Sequence, residues 1–286
     1  MAAVPTPRTR AGRDGLAAIL AEPQRALVAF DFDGTLAPIV ADPAEARAHP
    51  GAVPALSRLA PRVAAVAVVT GRPADAAVRQ GGLSGAEGLE HLTVLGAYGA
   101  ERWDARTGEM SAAPPPPGVA AVRSELPALL ADLGAPAGTW TEDKGRAVAV
   151  HTRRTDDPSA AFELLRTPLY ALAERHGLVV EPGRMVLELR PPGIDKGAAL
   201  TAHLREAGAN AVLYAGDDLG DLAAFAAVEK LRDEGVPGVL VCSGGGETGE
   251  TVPEIADRAD VVVDGPSGLV ALLNALTDQL DADARA

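Results

Sequence analysis

Ala26-Leu27-Val28-Ala29-Phe30-Asp31-Phe32-Asp33-Gly34-Thr35-Leu36 decides how this chain of 286 residues is read. The apolar run before Asp31 reads as a buried strand, which delivers two carboxylates and then breaks at a glycine. Charge at the end of a buried strand is costly unless something pairs with it. Side chains two residues apart on an extended chain point the same way, so Asp31 and Asp33 converge on one point. Gly34 permits a tight turn whose backbone N–H groups can face an anion. Carboxylates beside such amides suit a hard divalent cation held between protein and phosphate. Phosphoryl transfer is the first hypothesis; alone, though, Asp-Gly also fits an ordinary turn with two solvated aspartates.

Outward from that stretch, strand-like runs alternate with helical segments, the pattern of an α/β fold with a parallel sheet. Val63–Val69 ends at Thr70-Gly71-Arg72-Pro73, and Pro73 suits the first turn of a helix over Ala74–Gln80. Thr93–Tyr98, Ala211–Ala215, Gly238–Cys242 and Asp260–Val263 continue the series, and Ala211–Ala215 leads into Gly216-Asp217-Asp218. Between Trp103 and Pro192 the alternation fails. A proline cluster, Pro114–Pro117, precedes a helix (Val119–Leu133), a strand (Arg146–Thr152), a helix (Ser159–His176) and two short strands, Leu178–Glu181 and Met185–Leu189. This order reads as a small α+β insert between two halves of a core.

Composition narrows the function classes. A formal charge of -13 argues against nucleic acid or an anionic membrane surface as partner. An anionic substrate then needs locally concentrated positive charge. The single cysteine, Cys242, excludes an internal disulfide, fits a reducing compartment, and lies in an apolar run where packing is the plain reading. No segment has the sustained apolar run of a signal peptide or membrane span. A soluble cytoplasmic protein is expected, with a monomer as the default. Ser243-Gly244-Gly245-Gly246-Glu247 lacks the Lys-Ser/Thr of a P-loop and reads as a loop at the edge of the site.

In parallel sheets ligands bind beyond the carboxyl ends of the strands. Four polar sites collect there: Asp31 with Asp33, Thr70, Lys196, and Asp217 and Asp218 with Asp221. Thr70 alone is a turn or a helix cap, Lys196 a solvated lysine, and Asp217-Asp218 a helix start. Together they supply metal carboxylates, a hydroxyl and a cation, the inventory of phosphoryl transfer.

These four segments resemble the motifs of the haloacid dehalogenase superfamily of phosphotransferases in order and spacing. A narrower match is similar to trehalose-6-phosphate phosphatases. It is carried by Asp33-Gly34-Thr35-Leu36-Ala37-Pro38-Ile39, Gly96-Ala97-Tyr98-Gly99-Ala100-Glu101, and Glu181 through Pro191 continuing to Gly193-Ile194-Asp195-Lys196-Gly197. Glu142-Asp143-Lys144 and Val150-His151-Thr152-Arg153 resemble the E-x-K and H-Y-R segments of that family, with Thr152 in the tyrosine's place and Arg184 in that of a lysine. The late acidic motif also departs, reading Gly-Asp-Asp-Leu-Gly-Asp-Leu.

The resemblance implies a Rossmann-like parallel-sheet core of the haloacid dehalogenase type, residues 25–108 and 191–286. It also implies an inserted α+β cap at 109–190, behind an N-terminal extension of residues 1–24. It implies Asp31 as nucleophile through an aspartyl-phosphate and Asp33 as general acid, then base. Mg²⁺ would be held by Asp31, the Asp33 carbonyl and Asp217, with Asp218 and Asp221 behind them. Thr70, Gly34, Gly71 and Arg72 would hold the phosphoryl group, and Lys196 would neutralise charge. In the cap, Glu142, Lys144, Arg153, Arg184 and Glu188 would read the sugar of trehalose 6-phosphate, with His151 as a further possibility. A phosphatase for sucrose phosphate or a mannosyl conjugate, a phosphomutase, and a non-catalytic sugar-phosphate-binding module stay open.

Overall fold

Every residue of Ala26–Phe30 (β1) is buried, and its side chains alternate between two apolar clusters: Ala26, Val28 and Phe30 enter one, Leu27 and Ala29 the other. A strand covered on both faces belongs to a parallel sheet between helical layers. The computed structural model, which describes residues 3–40, 42–112, 114, 117–183, 185–245 and 251–285, builds that sheet. Helix α1 (Arg10–Ala21) precedes β1. Then follow α2 (Ala52–Leu59), β2 (Ala65–Val69), α3 (Ala74–Gly81), β3 (Leu92–Gly96), β4 (Glu101–Asp104) and β5 (Met110–Ala112). Next come α4 (Pro117–Asp132), β6 (Trp140–Asp143), β7 (Val148–His151), α5 (Pro158–Arg175), β8 (Val179–Gly183) and β9 (Val186–Arg190). The chain continues through α6 (Lys196–Glu206), β10 (Ala211–Gly216), α7 (Leu222–Asp233), β11 (Gly238–Gly244), α8 (Pro253–Arg258), β12 (Val261–Asp264) and α9 (Gly265–Asp283). Two compact units result: residues up to Ala112 with those from Asp195 onward, and Ala113–Ile194.

The larger unit holds an eight-stranded sheet of order β12-β11-β10-β1-β2-β3-β4-β5 among the described residues. From β12 to β3 all neighbours are parallel. Helices α1, α2, α3 and α9 feed the cluster on one face; α6, α7 and α8 feed the other. The chain leaves β1 toward β2 and returns on its opposite side as β10, so strand order reverses at β1, where open sheets form their binding crevice. The antiparallel hairpin β4–β5 extends the sheet beyond the expected strands. Its second strand is fully exposed, so no apolar run marked it.

Arg10–Ala21, within the stretch read as an extension, instead packs into the larger unit. Thr9 caps α1 by accepting from the Gly12 N–H at 2.9 Å. A Cβ at Gly15 would lie 2.1 Å from the Gly238 carbonyl oxygen, so glycine here allows helix and β11 backbones to touch. No helix among the described residues is long and apolar enough to cross a membrane.

The smaller unit holds an antiparallel sheet of order β6-β7-β9-β8. Val148, Val150, Leu187 and Leu189 face one apolar cluster with α4 and α5. By strand alternation, Trp140, Glu142, Ala149, His151, Val186, Glu188 and Arg190 occupy the opposite face. Strand β6, Trp-Thr-Glu-Asp, has no apolar run and was invisible to hydropathy; its pairing with β7 creates it.

Candidate active site

Asp31 stands at the end of β1 and is 5% exposed. One carboxylate oxygen accepts from the Phe32 N–H at 2.6 Å, and the other lies 2.8 Å from Lys196 Nζ. Lys196 opens α6 behind the N-cap Asp195, and its ammonium also donates to Asp221 at 2.9 Å. Asp221 is fully buried and fully engaged: Tyr214 and Lys196 donate to one oxygen, the Asp217 and Asp218 N–H groups to the other. Burial works against the Lys196 charge, but Asp221 and Asp31 outweigh it and hold the ammonium protonated. Burial pushes the Asp31 carboxyl well above the ordinary range; Lys196 opposes this, and Asp221, Asp218 and Asp33 add to it. Asp217 is pushed up likewise by burial and then by Asp221 and Asp31.

That excess of carboxylate over ammonium is what a cation relieves. Asp31, Asp217 and Asp221 each bring an oxygen within 4.8 Å of the others. Because Asp221 already accepts four hydrogen bonds, Asp31 and Asp217 are the donors with capacity for a metal. All-oxygen donors without His or Cys suit a hard divalent ion. Gly34 (φ +68°) is obligatory beside them: a Cβ there would fall 2.0 Å from an Asp217 oxygen. Ser243 donates to the Gly34 carbonyl at 2.8 Å, and Thr35 donates to Asp217 at 3.2 Å.

Thr70 is buried just beyond β2, and its Oγ accepts from the Arg72 N–H at 3.2 Å. Arg72 was expected among the phosphoryl-holding groups together with Gly71; in the structure its guanidinium grips Asp33 by two 2.6 Å bonds. It also donates to the Pro43 carbonyl and to Gln80, and lies over the Phe32 ring. Asp218 is exposed and caps the next turn through Gly220.

A family model described as trehalose-phosphatase matches residues 29–253 of this sequence. The chain belongs to the trehalose-phosphatase family. A trehalose-phosphate phosphatase of Mycolicibacterium paratuberculosis is 36% identical across 94% of this chain and 65% of its own length. The chain thus spans about 65% of the length of the first curated relatives it matches. A probable trehalose-phosphate phosphatase of Sinorhizobium fredii is 34% identical, covering 77% of this chain and 80% of its own. The solved C-terminal domain of C. albicans trehalose-6-phosphate phosphatase shares the fold, with a TM-score of 0.69 at 20% identity over 97% of this chain and 99% of that one.

The trehalose-phosphatase block Gly96–Glu101 buttresses the site from below. Ala97 and Tyr98 take left-handed backbone conformations (φ 46° and 59°), costly for non-glycine residues. Their N–H groups thereby donate to the Arg72 and Thr70 carbonyls at 2.7 and 2.9 Å. Glu101 accepts from the Ala74 N–H at the start of α3. The strand expected over Thr93–Tyr98 ends at Gly96 in the structure, since nothing local in the sequence announces the strained turn.

In the smaller unit, Lys144 donates to Glu188 at 2.5 Å, and Glu142 accepts from His151 at 2.9 Å. Arg153 stands exposed beyond the end of β7, and Arg184 lies outside the described residues, as do Gly246 and Glu247 of the glycine-rich stretch. Tyr214 is absent from the residues expected at the site: a tyrosine inside an apolar strand looks like core, and only its partner across the fold reveals the role. Ser243 and Gly244, expected in a loop, instead end β11. Cys242 is buried, and burial pushes its thiol up to about 11, in keeping with packing.

Proposed function

We propose that this protein is a phosphatase that hydrolyses trehalose 6-phosphate to trehalose and phosphate. The observation that carries this reading is Asp31, held 2.8 Å from Lys196 at the strand-order reversal with Asp217 alongside. A Asp31 oxygen bonds to phosphorus as the bond from phosphorus to the sugar oxygen breaks, giving an aspartyl-phosphate. With one of its two Arg72 bonds released, Asp33 can carry a proton, which it gives to the departing sugar oxygen before taking one from the water that cleaves the intermediate. Thr70 and the amides after it hold the transferring group, and Lys196 balances its charge. Mg²⁺, held by Asp31 and Asp217 with the Asp33 carbonyl, would supply Lewis-acid neutralisation of the phosphoryl charge.

Leaving-group choice falls to the smaller unit, whose Glu142, Lys144, Glu188 and Arg153 offer the charged hydrogen-bonding groups a disaccharide requires. The deciding experiment is phosphate release from trehalose 6-phosphate, sucrose 6-phosphate and glucose 6-phosphate, with Mg²⁺ and after chelation. Strong metal-dependent preference for trehalose 6-phosphate supports the whole reading. Preference for another sugar keeps the core chemistry and overturns the sugar assignment. No release from any of them overturns both.

A further inference from the structure

The polar face of the smaller unit's sheet carries one arrangement that the chemistry above leaves unused. Trp140 on β6 lies directly across from His151 on β7, and their rings stack with centroids 4.3 Å apart and planes 6° from parallel. The Arg154 guanidinium carbon is 4.4 Å from the same indole centroid. His151 Nε2 meets Glu142 Oε2 at 2.9 Å. A carboxylate only accepts, so Nε2 carries the hydrogen.

The consequence is mechanical. A glutamate at a sheet surface samples several rotamers unless something holds it. The imidazole holds Glu142, and stacking on the indole keeps the imidazole from turning. Glu142 retains 42% side-chain exposure, so its carboxylate is oriented yet accessible.

Its position gives that orientation a purpose. Glu142, Ala149 and Glu188 form one cross-strand row. The two glutamate backbones are two strand spacings apart, about 10 Å, over the small Ala149 side chain. Glu188 is 5% exposed, gives one oxygen to Lys144, and leaves Oε1 without a hydrogen-bond partner among the described residues. A buried carboxylate oxygen without a donor is an acceptor waiting for a ligand group. A pyranose ring, with hydroxyl donors pointing outward on both sides, matches two carboxylate acceptors on one sheet face at that spacing.

We propose that Trp140 and His151 are positioning residues for sugar selectivity: they set the Glu142 carboxylate so that it and Glu188 accept from hydroxyls of one pyranose ring. The proposal rests on the sugar-phosphate reading above. Trp140 lies outside the segments that carry the family resemblance.

The test compares trehalose 6-phosphate with p-nitrophenyl phosphate, which has no sugar. His151→Ala and Trp140→Ala should raise KM for trehalose 6-phosphate about tenfold, with kcat moving less than about threefold. The preference over p-nitrophenyl phosphate should fall by the same factor as KM rises. His151→Gln, which keeps an N–H near the Nε2 position, and Trp140→Phe, which keeps a stacking ring, should recover most of it. A merely structural role would depress both substrates alike. Unchanged KM, or equal loss on both substrates, overturns the proposal while leaving the phosphatase reading intact. Failure of the unaltered protein on every sugar phosphate overturns that reading and this one together. Should the alanine variants not fold, His151→Asn, whose amide stops short of Glu142, takes their place.

Discussion

Arg72 holds both carboxylate oxygens of Asp33, Nε to Oδ2 and Nη2 to Oδ1, each at 2.6 Å. The same guanidinium ties down the Pro43 carbonyl and Gln80, so one side chain orients the proposed acid-base group and anchors the neighbouring loop. Arg72→Ala should lower kcat/KM about a hundredfold. Arg72→Lys should recover little, because an ammonium cannot reproduce a planar two-point grip. Steady-state kinetics on the best sugar phosphate decide it; near-normal turnover in Arg72→Ala would mean the grip is incidental.

Asp31 is the only proposed nucleophile, and its replacement separates chemistry from folding. Asp31→Asn should lose at least about 1,000-fold in phosphate release. The fold should survive, since the buried site sheds one of several crowded carboxylates. Circular dichroism alongside the assay makes the comparison; turnover that persists removes the aspartyl-phosphate route.

Tyr214 lies beneath the site and donates to Asp221 at 2.6 Å. Tyr214→Phe deletes that donor while Asp221 keeps Lys196 and two backbone N–H groups. A hydrogen bond to a buried charge is worth about 1.5–3 kcal/mol, which should appear as a lower urea midpoint with an unchanged slope. An unshifted midpoint would show that Asp221 is satisfied without it.

Helix α1 depends on Gly15 for its contact with β11. Gly15→Val forces a side chain against the Gly238 carbonyl and should cost about 1–3 kcal/mol. The exposed control Arg10→Ala should be close to neutral. Equal melting temperatures for both variants would show that α1 does not stabilise the sheet.

His203 is buried, and neither ring nitrogen has a hydrogen-bond partner among the described residues; Glu206 is 3.6 Å away, too far for one. Burial, then Arg102, lowers its proton affinity below the ordinary value of 6.5, against an opposing pull from Glu206. Below that pH the unfolded chain binds the proton that the folded one refuses. Its contribution to stability is therefore full above about 6.5 and is lost as the pH falls toward the lower folded value. His203→Leu should show a shallower loss than the parent between neutral and mildly acidic pH in thermal melts. Parallel curves would exclude His203 as the source.

Much of the candidate site's residue set was legible because strand ends in a parallel sheet are forced together. Asp31, Asp33, Thr70, Lys196 and Asp217 each follow or flank an element that hydropathy reveals, and burial makes their charges conspicuous. Strand β6 escaped because Trp140–Asp143 has no apolar run. Tyr98 escaped because its strained backbone answers to carbonyls of another loop.

By itself the sequence determined the alternation of elements, the α/β core, the insert, and which residue types stand at the strand ends. Those follow from local periodicity and from the cost of burying charge. The tertiary structure alone decided who partners whom: Arg72 with Asp33, Tyr214 with Asp221, His151 with Glu142. A buried charge must find a counterpart, but many residues qualify by type. Only the packing of segments distant in sequence brings one of them within hydrogen-bond reach.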